Sequence, residues 1–136
     1  MARELRPFLR ILGILGALAL ASACGDAASA PPISGDELME RIAAGEGPFV
    51  LDVRTPEEFA AGRVPRAVNI PHTELAARLG EIGVEDRARE VVVYCESGRR
   101  AAEAEATLRH AGFSAVRHLE GDMKAWRNAE RPCEGC

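Results

Sequence analysis

The chain has 136 residues, enough for one domain and too few for two comfortable ones. Apolar residues make up 47% and charged residues 28%, the profile of an ordinary globular domain rather than a disordered or fibrous one. A net charge of −4 gives no bulk attraction to nucleic acid, so no nucleic-acid partner is expected and any anion-binding chemistry has to be local.

The first two dozen residues read as an export signal. Arg3, Arg6 and Arg10 make a basic start, residues 11–21 (ILGILGALALA) are apolar, and Ser22-Ala23-Cys24 follow. The apolar run falls short of the roughly 20 residues that span a bilayer. Ala21-Ser22-Ala23-Cys24 also resembles a bacterial lipobox, with Ala21 where leucine is usual. The resemblance implies a signal peptide over 1–23 and an acylated Cys24 that anchors the chain to a membrane on the periplasmic side of a bacterial envelope. The alternative is ordinary cleavage and release into the periplasm. Residues 24–32, with the small, polar, proline-ended stretch GDAASAPP, form a flexible tether. The folded domain is expected over 33–132.

Within that domain helix and strand signals alternate. Ser34 and Glu37 form a capping box that opens a helix through Leu38, Met39, Ile42 and Ala43. Residues 49–53 (FVLDV) are almost continuously apolar, as expected of a strand buried on both faces. Thr55, Pro56 and Glu58 mark a second helix start, brief because Gly62 ends it. Residues 67–70 (AVNI) predict a short strand and 74–79 a helical segment. Residues 91–94 (VVVY) give the strongest strand signal. A helix over 100–110 is closed by Gly112, a strand covers 116–119, and 121–126 (GDMKAW) opens a last short helix. This alternation predicts an α/β fold, a mostly parallel sheet with helices on both faces. Ligands in such sheets bind beyond the carboxyl ends of the strands, and the segment after Tyr94 is one such place.

That segment is Cys95-Glu96-Ser97-Gly98-Arg99-Arg100. It must turn sharply from strand to helix, and Gly98 permits the backbone angles this needs. Backbone N–H groups of such a turn form an anion-binding concavity, and the following helix adds its unpaired donors and positive dipole end. Arg99 and Arg100 add formal charge. All three effects favour a Cys95 thiolate and any anion bonded to it. Cys95 is therefore the candidate nucleophile, and Glu96, Ser97, Gly98, Arg99 and Arg100 the candidate substrate-binding residues.

The sequence resembles the rhodanese (sulfurtransferase) family over essentially the whole domain. Residues 51–71 (LDVRTPEEFAAGRVPRAVNIP) are similar to its first signature, 95–100 to its active loop and 121–126 to its C-terminal signature. The resemblance implies a three-layer α/β/α fold around a five-stranded parallel sheet. It implies that Cys95 takes sulfur from a thiosulfate-like donor as a persulfide and passes it to a thiol or cyanide acceptor. No cofactor is implied. A six-residue loop is the size of sulfurtransferases, whereas related phosphatases and arsenate reductases carry one residue more. A non-catalytic domain and a thiol-redox protein are the other readings left open. The first signature departs from the family pattern at Arg63 and Arg66, where histidine and glycine are usual. The glycine's replacement implies that the turn after Pro65 avoids positive φ.

Asp52 reads as a structural acid near the active loop, and Arg54 equally well as its partner or as a substrate-side cation. Trp126 reads as core. His72, His110 and His118 lack ligand spacing, so no metal site is expected, and they read as surface or capping residues. Cys133-Glu134-Gly135-Cys136 is a C-x-x-C tail, read as a possible redox pair whose plainest state is a disulfide.

Overall fold

A computed structural model describes residues 30–136. The signal segment and Cys24 therefore lie outside the described residues. The elements run in the order α1 (Gly35–Ala43), β1 (Phe49–Asp52), α2 (Pro56–Ala60), β2 (Val68–Asn69), β3 (Val91–Tyr94), α3 (Arg99–His110), β4 (Val116–His118) and α4 (Asp122–Asn128). Both predicted caps are in place. Ser34 accepts the Glu37 N–H, and Thr55 and Glu58 exchange bonds in a full capping box. The helix expected over 74–79 is instead two 3₁₀ turns, Leu75–Ala77 and Leu79–Glu81.

The four strands among the described residues are all parallel, in the order β2-β1-β3-β4. The expected fifth strand is reduced to one residue: Ile33 bridges Leu119 in parallel fashion, donating to the His118 carbonyl and accepting from Glu120. The cause is local. Pro31 and Pro32 have no N–H to extend the ladder backwards, and Ser34 is already committed to capping α1.

Strand alternation sorts the core into two layers. Leu51, Val53, Val91, Val93 and Cys95 face α3 and the 3₁₀ turns, packing on Ala101, Ala104, Leu108, Phe113 and Leu75. Val50, Val92 and Tyr94 face α1 and α4, packing on Leu38, Met123 and Trp126. Neighbouring residues Tyr94 and Cys95 thus enter opposite layers. The chain leaves β1 for β2 on one side and returns to β3 on the other. The crevice between the carboxyl ends of β1 and β3 is therefore the switch point where an α/β sheet binds ligands. Asp52 and Tyr94 lie in register there, so Arg54 and Cys95 both emerge at that crevice.

Candidate active site

Cys95 is the free cysteine of the described residues, and it is only 1% exposed. Its Sγ accepts the Gly98 N–H at 3.0 Å. Gly98 is the N-cap of α3 with φ 104°, a conformation natural to glycine alone. A Cβ there would also lie 3.1 Å from the Asp122 carboxylate. The Cys95 N–H is directed away from the thiol. It donates to Asp122 Oδ1 at 2.9 Å.

Asp122 belongs to the clasp that seats the loop. Met123 and Lys124, in the first turn of α4, donate their N–H groups to the carbonyls of Cys95 and Glu96. Asp122 itself is left-handed, φ 57°, a conformation Asp tolerates better than most residues. Its Oδ2 lies 2.9 Å from His118 Nε2, and His118 Nδ1 lies 2.5 Å from Glu105 Oε1 on α3. His118 therefore sits between two carboxylates directly beneath Gly98, which corrects its reading as a surface or capping residue. No local signal in the sequence marks this cluster, since Glu105, His118 and Asp122 come from three elements. The i, i+4 spacing of His118 and Asp122 is the one available hint.

The His118 pKa is raised from 6.5 to about 9, first by its bond to Asp122, against the opposing effect of burial, and then by Glu105. A histidine that holds its proton more tightly when folded contributes stability that is fully present below pH 6.5 and is lost as pH rises toward about 9. Urea unfolding is expected to show a loss on the order of 2–3 kcal/mol across that window. His118→Gln is expected to flatten this dependence; an unchanged pH profile in that variant would show that His118 is not its source.

The arginines divide. Arg54 is 2% exposed and is held by Asp52 through its backbone N–H, Nε and Nη2, the last at 2.6 Å. Nη2 also donates to the Gly62 carbonyl, and the guanidinium lies 5.6 Å from the centre of the Tyr94 ring. Burial works against its charge, but the Asp52 bonds outweigh it and hold the Arg54 pKa above the ordinary value. The structure places Arg54 as the partner of Asp52; its one further carboxylate is Glu96, 3.7 Å from Nη1. Glu96 is half-buried and also pairs with Arg127. Arg100 makes a two-pronged pair with Glu58 at 2.7 and 2.8 Å. The Arg100 bond holds the Glu58 carboxyl down at about 2. The capping box of α2 thus aims Glu58 at the active loop. Arg99 is not brought to the thiol: its side chain is 84% exposed and turns to Glu103. Ser97 is exposed at the rim of the loop.

One expectation about the first signature changes. The turn after Pro65 does not avoid positive φ, since Arg66 has φ 64°. Ala67 donates to the Val64 carbonyl, closing a turn with proline at its second position and a left-handed residue at its third. Arg66 is held in that conformation by Glu134, whose Oε1 accepts its N–H at 3.0 Å. Cys133 and Cys136 are joined in a disulfide that lies against Gly62.

Known proteins of the same kind share this frame. A family model described as the rhodanese-like domain matches residues 34–129. The chain is 37% identical over 94 residues to a sulfurtransferase of Allochromatium vinosum, covering 69% of this chain and 85% of that one. It is 33% identical over 101 residues, 74% of its length, to a putative sulfur carrier protein of Bacillus subtilis, YrkF, of which it spans 53%. The crystal structure of a rhodanese-related protein from Thermoplasma volcanium superposes with a TM-score of 0.67 at 29% identity, over 79% of this chain and all of that one. With the parallel sheet, the Cys95 loop at its switch point and a family match across nearly the whole described domain, the chain belongs to the rhodanese-like domain family.

Proposed function

We propose that the protein moves sulfane sulfur from a thiosulfate-like donor to a thiol or cyanide acceptor through a persulfide on Cys95. The observation that carries this reading is the Cys95 thiol itself, placed at the switch point in a six-residue loop with the Gly98 N–H aimed at Sγ. In the first step the Cys95 thiolate attacks the outer sulfur of thiosulfate. The donor S–S bond breaks with its electron pair, sulfite leaves, and a new S–S bond forms on Cys95. In the second step an acceptor thiolate attacks the outer persulfide sulfur and Cys95 leaves as thiolate. Nothing is oxidised or reduced overall.

The geometry supports each step. The terminal persulfide sulfur is anionic, and the N-terminus of the twelve-residue helix α3 with its Gly98 donor favours an anion there. The inner sulfur is buried, so an acceptor reaches the outer one. That directs the reaction to sulfur transfer and away from a mixed disulfide. Arg100 lies close enough for Cys95 to add to the effect of Glu58 in holding its guanidinium protonated.

Intact-mass measurement after thiosulfate treatment, without reductant, tests the reading. One added sulfur atom is expected, mapping to the peptide that contains Cys95 and removed by a small thiol or cyanide. Absence of a sulfur adduct on that peptide overturns the proposal.

A further inference from the structure

The sequence features that sulfur transfer leaves unused are Arg63, Arg66 and the C-x-x-C tail. The fold brings them into one unit. Residues Arg63 and Glu134 form an antiparallel bridge, each donating its N–H to the other's carbonyl at 3.0 Å. The Glu134 carboxylate takes the Arg66 N–H with one oxygen and lies 3.3 Å from Arg63 Nε with the other. Trp126 Nε1 donates to the Pro132 carbonyl at 2.8 Å and holds the stem of the tail. The tail is therefore seated on the 62–66 loop by backbone bonds at Arg63 and Arg66 and by the Arg63 side chain.

The disulfide rests on bare backbone. A Cβ on Gly62 would fall 2.5 Å from Cys136 Sγ and 3.2 Å from Cys133 Sγ. A Cβ on Gly135 would fall 3.2 Å from Arg63 Nη1, so the guanidinium lies along the turn between the two cysteines. The two residues differ in exposure: Cys133 is half-buried against the Tyr94 and Trp126 layer, whereas Cys136 is exposed. A bond that closes a loop of four residues restrains the unfolded chain least, and the tail is already fixed by hydrogen bonds. Stapling the fold is a weak account of this pair.

We propose that Cys133–Cys136 is a second reactive centre, a dithiol–disulfide exchange site for external dithiols, with Cys136 as the sulfur attacked. A thiolate of the external dithiol attacks Cys136 Sγ. The Cys133–Cys136 bond breaks and Cys133 leaves as thiolate. The donor's second thiol then attacks the donor sulfur of the mixed disulfide and expels Cys136. The donor becomes a disulfide, two electrons pass to the pair, and the two donor protons end on Cys133 and Cys136. This chemistry is independent of any persulfide on Cys95.

The test uses the full chain, folded, in graded mixtures of reduced and oxidised dithiothreitol, quenched in acid, alkylated and mapped at the tail peptide. One two-electron transition of the Cys133/Cys136 pair is expected, with unchanged far-ultraviolet circular dichroism. With oxidised glutathione, the Cys133→Ser variant is expected to capture glutathione on Cys136 on the order of tenfold faster than Cys136→Ser captures it on Cys133. A pair that is reduced only after denaturant is added is a staple, and the proposal falls. Equal capture rates in the two single variants overturn the role given to Cys136. Loss of the Cys95 sulfur adduct with intact tail exchange, or the reverse, separates the fates of the two readings.

Discussion

Cys95→Ser is expected to lose thiosulfate turnover by about four or more orders of magnitude, as when a nucleophile is removed, while keeping the fold. The hydroxyl occupies nearly the same volume and can accept the Gly98 N–H that now reaches Sγ at 3.0 Å. Burying it in a largely apolar layer with that one partner costs on the order of 1 kcal/mol. The alcohol does not ionise near neutral pH, and it forms no stable bond to a transferable sulfur. Steady-state turnover with thiosulfate and cyanide measures the first effect, and urea unfolding the second. Residual turnover within tenfold of the parent would remove Cys95 from the chemistry.

Asp52→Ala is expected to do the opposite, damaging the fold before the chemistry. Arg54 is buried at the end of β1, and Asp52 supplies four of its hydrogen-bond contacts. Removing the carboxylate leaves a buried guanidinium with the Gly62 carbonyl and a carboxylate 3.7 Å away. Breaking a buried pair from one side costs about 3–5 kcal/mol. Thermal unfolding is expected to move down by more than about 10 °C for a domain of this size. The double variant Asp52→Leu, Arg54→Met removes both charges and is expected to recover most of the loss. A single variant that loses less than about 1 kcal/mol would show that the pair is not what holds this end of β1.

What could be read from the chain was what it encodes locally. Val91–Tyr94 is a buried run, and the strand, Gly98 and helix start around Cys95 follow one another within ten residues. Ser34 and Thr55 announce helix starts through residues three places on. Features that depend on distant segments escaped. The fifth strand shrank because Pro31-Pro32 and the Ser34 cap compete for the same few residues. Arg66 takes a glycine's conformation because Glu134, far along the chain, binds its N–H. Arg99 and Arg100 are neighbours of like charge, but Arg100 meets Glu58 of α2 and Arg99 meets Glu103 of its own helix. The carboxylates around His118 were out of sight for the same reason.

The clasp on the Cys95 loop sets an order of events during synthesis. Cys95 leaves the ribosome before Glu105, His118 and Asp122 emerge to hold its turn. Asp122 is the residue that takes the Cys95 N–H, and it follows Cys95 by 27 residues. A nascent or carboxyl-truncated chain therefore carries the same thiol without its seat, open to whatever oxidant or thiol it meets first. The loop closes over it once the first turn of α4 is in place.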